Sequence, residues 1–218
     1  MDTQQWMNGY LRAVQDAFGP RIVCAGLQGS RGRGEGTERS DFDAVLILDR
    51  LDFEDLERYR LAVRELPCRE LLCGFVSGRD ELLCWDRAEL TGFYWDVRPA
   101  VGDLEFLTPL LTREDSCRSV HSGACGIYHA CVHNWLHERS AQILEQLQKS
   151  AFFVLRAKNF CETGTHTAQR ARLLPRLSSR ERAVLQTDPR DLEHTSRLLM
   201  DWAAEVIRAW APRACPQK

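Results

Sequence analysis

The 218-residue sequence lacks an excess of either charge, since 29 Lys and Arg residues face 31 Asp and Glu residues. With a formal net charge of −2 and a pI of about 6.3, it predicts no extended basic surface, so nucleic acid is not an expected partner. It also lacks an apolar run near the ~20 residues that a membrane span requires. The first residues are polar and acidic, unlike a signal peptide. We therefore expect a cytoplasmic protein that does not span a membrane.

The nine cysteines lack any Cys-x-x-Cys spacing, and their number is odd. Both properties argue against a zinc ribbon and against the disulfide framework of a small secreted protein. We therefore predict that most of them are small, buried, apolar side chains in a reducing compartment.

The chain changes character along its length, although no internal repeat or low-complexity segment is visible. Hydrophobic periodicity in the first half predicts strands and helices in alternation, with strands over 21–27, 43–48 and 70–76 and helices over 4–17, 53–66 and 80–90. An aromatic strand or loop is expected around 93–95. From about Leu104 onward only helices are expected, over 124–148, 150–162, 168–174, 179–186 and 191–210. We predict an α+β protein with an α/β domain over 1–115, built on a small mixed sheet, and an all-α helical bundle over 116–218.

Two acidic residues alternate at the start of the second predicted strand, in Ser40-Asp41-Phe42-Asp43. Side chains at i and i+2 of a strand share a face, with Cα atoms ~6.5–7 Å apart. Asp41 and Asp43 can therefore converge on one or two hard cations. Oxygen-only ligands suit Mg²⁺, which completes its coordination with phosphate oxygens and water. Two such ions can activate a hydroxyl nucleophile and stabilise a leaving pyrophosphate.

A glycine-rich turn precedes this pair, in Gly29-Ser30-Arg31-Gly32-Arg33-Gly34. Backbone N–H groups at Gly29 and Ser30 are suited to phosphate oxygens, and Arg31 and Arg33 are cationic neighbours able to meet a triphosphate. By itself the turn could be a flexible loop, and the Asp-x-Asp pair could be a solvated turn. Their order, directly after an apolar strand, favours a nucleotide site.

Together these residues resemble the signature of the polymerase-β-type nucleotidyltransferase superfamily: a Gly-Ser pair, a short spacer with Arg, then Ser-Asp-x-Asp on the next strand. The likeness is strongest to the kanamycin and streptomycin nucleotidyltransferases. A looser match is the helix from Leu155 that ends at Thr163-Gly164, as in the streptomycin-type enzymes. The resemblance implies Mg²⁺-dependent transfer of a nucleoside monophosphate, here expected to be AMP, from a nucleoside triphosphate to a hydroxyl. It assigns metal binding to Asp41 and Asp43, and nucleotide binding to Gly29, Ser30, Arg33 and Ser40.

Members of the superfamily usually add a third carboxylate from a neighbouring strand. Glu70 is the first candidate, as a catalytic and metal-binding residue, because it opens the third predicted strand. Its alternative role is a solvated charge beside Arg69. The rival candidates lie in a segment that the pattern does not place and are Asp96, Asp103 and Glu105.

A general base would take the proton of the acceptor hydroxyl. Kanamycin-type enzymes place a Glu on the first long helix of the helical domain, whereas His133 or Asn134 occupies that place here. His133 is our candidate base. Its helical stripe with His129 and His137 could in principle bind zinc. Because each four-residue step turns by ~400°, the whole stripe cannot meet one ion, and a polar helix face is favoured.

The acceptor half of the reaction is left open. An aminoglycoside-like small molecule fits the two-domain layout and the mild acidity. The alternatives are a protein hydroxyl, as in AMPylating, antitoxin-like relatives, and a nucleotide-binding protein without catalysis. Homodimerisation is also left open.

Overall fold

The computed structural model describes residues 2–214, which fall into two compact units. The sheet unit comprises Met1–Asp86 and Phe93–Leu110, and the helical unit comprises Arg87–Gly92 and Leu111–Lys218. The domain boundary expected between residues 115 and 116 stays a prediction.

The sheet unit contains one mixed four-stranded sheet in the order β3-β2-β1-β4. β2 runs parallel to β3, and β1 runs antiparallel to both β2 and β4. The strands are β1 (Ile22–Leu27), β2 (Phe42–Leu48), β3 (Leu72–Gly78) and β4 (Arg98–Gly102).

Alternation along β2 builds the core of the sheet unit. Every second residue from Phe42 to Leu48 faces a cluster that includes Trp6 and Tyr10 of α1, and the Trp6 ring stacks on Phe42 at 4.0 Å between centroids. Asp43 therefore points to the opposite face of the sheet from Phe42. The helices of this unit are α1 (Thr3–Phe18), α2 (Gly29–Gly32), α3 (Phe53–Ala62) and α4 (Arg79–Leu83), followed by α5 (Arg87–Asp96), which contributes residues to both units.

In the helical unit, α6 packs against α7 and α10, and α9 packs against the same two helices. Its core includes Ile127, Leu155 and Trp202, all 2% exposed or less. The helices are α6 (Arg113–His133), a π-helical turn (Asn134–Glu138), α7 (Ala141–Thr163), α8 (Arg170–Leu173), α9 (Ser179–Gln186) and α10 (Leu192–Ala214). The described part of this unit is all-α, and the α+β prediction is confirmed.

The helix predicted over 124–148 is wrong, because α6 ends at His133 and α7 begins at Ala141. Asn134 is buried, and its side chain bonds the backbone of Ser140 twice: it accepts from the N–H at 3.0 Å and donates to the carbonyl at 3.1 Å. The Ser140 hydroxyl then caps α7 by accepting from the N–H of Ile143. The hydrogen bonds of the buried Asn134 side chain thus stabilise the break between α6 and α7.

The aromatic segment around 93–95 is also corrected, since it lies in α5 and is helical. The fourth strand, β4, follows it and was not placed from sequence. Two other predictions hold: α9 spans 179–186, and α7 ends at Thr163 with Gly164 in the left-handed region, at φ +70°. Ser178 is the N-cap of α9.

The predictions about membrane spans and about cysteine burial can be compared with the structure of residues 2–214. The helices of this part are all too short or too polar to span a bilayer. The eight cysteines described are free thiols, of which three are buried, whereas Cys73 and Cys84 are exposed. Cysteine burial is therefore less general than we predicted, and Cys215 lies outside the described residues.

Candidate active site

The acidic pair lies where β2 begins. Asp43 is half-buried and pairs with Cys73 of β3, whereas Asp41 is exposed and directly precedes the strand. Burial raises the pKa of Asp43, and the negative charges of Asp41 and Asp96 raise it further, while Arg33 opposes the shift. The carboxylates of the site therefore carry more negative charge than Arg33 compensates.

The glycine turn joins the end of β1 to this same place. The N–H of Gln28 donates to the carbonyl of Asp43 at 2.9 Å, which ties the turn to β2. Gly29 has φ +68°, and a Cβ there would stand 2.0 Å from Oδ2 of Asp43. Only glycine combines this backbone conformation with so close an approach to a carboxylate.

A third carboxylate reaches the turn from the last residue of α5. Asp96 is 5% exposed, and its Oδ2 accepts from the N–H of Gly29 at 2.8 Å. Both oxygens also accept from Nη1 of Arg33, at 3.0 and 3.1 Å. Among the rivals to Glu70, Asp96 is thus the residue that the fold brings to Gly29 and Asp43.

The two arginines of the turn differ in their partners. Arg33 is held between Asp96 and Glu35, whose Oε2 lies 3.1 Å from its Nε, and its side chain is 8% exposed. Arg31 is buried over the Phe42 ring at 3.9 Å, and its Nε donates to the carbonyl of Ser40 at 2.9 Å. Arg31 therefore supports the loop, and Arg33 is the arginine that adjoins the carboxylates.

The loop between α2 and β2 is closed by local hydrogen bonds. The hydroxyl of Ser40 accepts from the N–H of Thr37 at 2.9 Å, and the carbonyl of Ser30 accepts from the N–H of Glu35 at 2.8 Å. The predicted roles of Ser30 and Ser40 toward a nucleotide stay predictions.

The remaining candidate carboxylates are less closely involved. Glu70 is exposed in a short 3₁₀ turn (Arg69–Leu71) that leads into β3, at the sheet edge where the parallel β2 also begins. Asp103 follows β4 and caps the next turn by accepting from the N–H of Glu105 at 2.9 Å. Because β4 runs antiparallel to β1, Asp103 lies at the opposite end of β1 from Gly29.

The metal assignment to Asp41, Asp43 and Glu70 stays a prediction. Within the described residues, no group of three or more His, Cys, Asp or Glu side chains is arranged to hold a metal ion. The chemistry of the donors nevertheless fits Mg²⁺, because Asp41, Asp43 and Asp96 offer oxygen alone. Burial, together with the charges of Asp41 and Asp96, raises the pKa of Asp43.

The candidate base lies in the helical unit. His133 is the last residue of α6 and is exposed, like His129 and His137. The His133 and His137 rings are 4.9 Å apart between centroids and tilted by 57°. The stripe is therefore an exposed polar face, and the basic role of His133 stays a prediction.

Comparison with known proteins finds similar folds among the solved structures. No protein-family model matches the chain, and no curated protein matches it. The fold is similar to the crystal structure of spectinomycin adenyltransferase AAD(9) from Enterococcus faecialis with ATP and spectinomycin, with a TM-score of 0.60 over 95% of this chain and 100% of that one. The chain has a nucleotidyltransferase fold. Since the identity is 12%, this nucleotidyltransferase likeness concerns the fold alone.

Hydrophobic periodicity did not single out Asp96 among the candidates for the third carboxylate. The residue ends a helix and precedes a short strand, Arg98–Gly102, whose exposed residues carry no alternating pattern. The one available signal was an acid close to a predicted aromatic segment, which does not distinguish Asp96 from Asp103 or Glu105.

Proposed function

We propose that this nucleotidyltransferase fold carries Mg²⁺-dependent transfer of a nucleoside monophosphate, AMP from ATP, to a hydroxyl group of a small molecule. The observation that carries the proposal is the meeting of the Gly29 turn with Asp43 and Asp96, where burial and then the neighbouring carboxylates raise the pKa of Asp43. A cation would bind the carboxylates of that arrangement, and a triphosphate would bind its N–H and guanidinium donors.

Each half of the donor site has its own residues. The N–H of Gly29 and the Arg33 guanidinium are the donors for phosphate oxygens, with Ser30 and Ser40 beside them. Asp41 and Asp43 would hold Mg²⁺, and either Asp96 or Glu70 would be the third carboxylate. When bound, the metal neutralises triphosphate charge and polarises the phosphorus that is attacked. Asp43 must be ionised to serve, and cation binding lowers the pKa that burial and its neighbours raise.

The acceptor is proposed to be a small polyhydroxylated molecule of the aminoglycoside or aminocyclitol kind. This extends to our chain what is known of the solved neighbour, which was crystallised with ATP and spectinomycin. His133 would accept the hydroxyl proton. We place the reaction in the cytoplasm, where ATP and Mg²⁺ are abundant.

Calorimetric titration with ATP tests the donor site directly. We expect Mg²⁺-dependent binding by the wild type and its loss in the Asp41→Asn/Asp43→Asn double variant. Asp103→Asn is a matched control, because it removes a carboxylate at the other end of β1. Binding that is equal in the wild type and the double variant would reject the metal site.

The acceptor needs a separate assay. Pyrophosphate release from ATP should rise with some members of an aminoglycoside and spectinomycin panel. Label transferred from ATP to lysate proteins alone would instead identify a protein-modifying enzyme. Nucleotide binding without pyrophosphate release for any acceptor would identify a binding protein.

A further inference from the structure

Asp96 accepts hydrogen bonds from donors that the proposed function assigns to a triphosphate. Its carboxylate accepts from the N–H of Gly29 and from the guanidinium of Arg33 at 2.8–3.1 Å. Carboxylate and phosphate oxygens are both anionic acceptors and form the same kind of charge-assisted hydrogen bond at these distances.

Burial makes the two anions compete. Asp96 is 5% exposed, and the side chain of Arg33 is 8% exposed. Such a site leaves little room for a phosphate oxygen to join the pair from solvent. A phosphate group that reaches Gly29 and Arg33 must therefore replace at least one Asp96 oxygen.

We propose that Asp96 is a positioning residue that occupies the phosphate place of the Gly29 turn until a nucleotide displaces it. The proposal rests on the proposed function, because it takes Gly29 and Arg33 as triphosphate donors. In the empty site the carboxylate keeps the N–H of Gly29 and the guanidinium of Arg33 oriented. Without it, the N–H of Gly29 and Nη1 of Arg33 would lose this anionic acceptor, which is costly in a largely buried site.

Displacement also links nucleotide binding to the cation. Asp43 adjoins the same Gly29 turn from which the carboxylate of Asp96 is released, and the arriving triphosphate adds further negative charge. Like charges at this separation oppose binding unless a cation joins them. Binding of metal-free nucleotide is thus suppressed by Asp96, and binding with Mg²⁺ is not.

The test compares the full-length wild type with Asp96→Asn. Asparagine keeps the size and one acceptor oxygen but lacks the charge. Binding of ATP and of pyrophosphate is measured with EDTA and again with Mg²⁺. We expect metal-free binding of both probes to become about tenfold tighter in Asp96→Asn, as for the loss of a charge-assisted competitor. The kcat of pyrophosphate release should fall, because the remaining amide positions Arg33 less firmly.

Glu35→Gln is the matched control. Glu35 also pairs with Arg33, at Nε, whereas the N–H of Gly29 donates to Asp96. Metal-free affinity in Glu35→Gln should therefore change less than in Asp96→Asn. Unchanged or weaker metal-free binding in a folded Asp96→Asn variant would overturn the proposal.

A wild-type measurement covers the case in which Asp96→Asn does not fold. Saturating pyrophosphate in EDTA should shift the amide resonance of Gly29 and the side-chain resonance of Arg33, since both donors change partner. Resonances that stay in place at saturation would contradict displacement. The proposed function fails separately, if the wild type does not bind ATP with Mg²⁺ at all.

Discussion

The sheet unit and the helical unit treat buried charge in opposite ways. In the sheet unit, Asp43 is half-buried beside two other carboxylates, and its pKa is raised. In the helical unit, burial opposes the charge of Lys158, but Glu162 and Glu181, at 2.9 and 3.1 Å, more than offset it and raise its pKa. The charge of Lys158 is thus balanced within the helical unit, whereas Asp43 and its neighbouring carboxylates keep an excess of negative charge that a ligand can satisfy.

The sheet unit shows the same contrast within itself. Arg21 meets Asp55 with two hydrogen bonds of 2.8 Å, and this pairing lowers the pKa of Asp55 to about 2. Asp55 also accepts from the N–H of Asp52 at 3.1 Å at the start of α3. Asp55 is paired and stabilises the fold. Asp43 has a raised pKa and, in our proposal, is compensated by a bound cation.

The largest expected effect follows from removing the charge of Asp43. We expect Asp43→Asn to lower nucleotidyl transfer more than about 100-fold. Losing a residue that only hydrogen-bonds a metal ligand costs about 10–100-fold in activity, and losing a ligand itself should cost more. Folding raises the pKa of Asp43, so the wild type gains stability as pH falls from neutral through that pKa. Asp43→Asn should lack this gain and should be no less stable at pH 7. Urea unfolding measured from pH 7 down to about pH 4, near the ordinary pKa of an aspartate, tests both expectations.

Lys158→Met is the counterpart in the helical unit. It leaves Glu162 and Glu181 without their shared cation, so stability should fall while transfer by the folded protein is retained. A variant of Lys158 that loses activity but not stability would break the comparison between the units.

The next effect concerns the core of the helical unit. Leu155 is fully buried in α7, and Leu155→Ala should cost about 2–5 kcal/mol of unfolding free energy through lost burial and the cavity left behind. Leu136, which is 64% exposed, is the control, and Leu136→Ala should stay within about 0.5 kcal/mol. Equal costs from urea unfolding of the two variants would refute this assignment of the core.

The next effect is a gain in stability, which we expect when two thiols, one in α6 and one in α7, are oxidised. The sulfurs of Cys117 and Cys161 are 3.7 Å apart. Diamide, which accepts the two hydrogens, should couple them into a disulfide and add about 2–4 kcal/mol. Burial and Cys117 raise the pKa of Cys161 to about 12, so the reaction should quicken with rising pH.

Peptide mapping under non-reducing conditions identifies this pair. Cys161→Ser should abolish both the linked peptide and the stabilisation. A linked peptide that joins Cys117 to the exposed Cys73 or Cys84 instead would show that the two thiols do not meet in solution.

The smallest effect expected is at the paired carboxylate of the sheet unit. Arg21→Ala should cost about 1–3 kcal/mol at pH 7, the range for hydrogen bonds to charged groups. Because folding lowers the pKa of Asp55, this contribution is present above pH about 4 and is lost as pH falls toward 2. Unfolding curves of the two proteins should therefore converge at low pH. A cost that is independent of pH would show that packing, not the ion pair, is responsible.

Much of the donor half of the site is local and follows from the amino-acid sequence. β1 and β2 are neighbours in sequence and pair antiparallel, with Leu27 opposite Ala44. The turn after β1 and the residues that begin β2 must then lie side by side. Gly29 and Asp43 meet for that reason, and their order along the chain, directly after an apolar strand, led us to assign both to one site. The amphipathic helices and the cap at Ser178 are equally local.

Only the tertiary structure decided what else reaches that place. β4 pairs antiparallel with β1, with Arg98 opposite Leu27, so the end of the preceding helix lies beside the Gly29 turn. Asp96 arrives there across 67 positions of sequence, and Glu70, which looked nearer along the chain, remains exposed. The break between α6 and α7 depends likewise on the buried side chain of Asn134. Local periodicity records which face of an element is buried, but strand pairing and buried hydrogen bonds depend on partners that are distant in sequence.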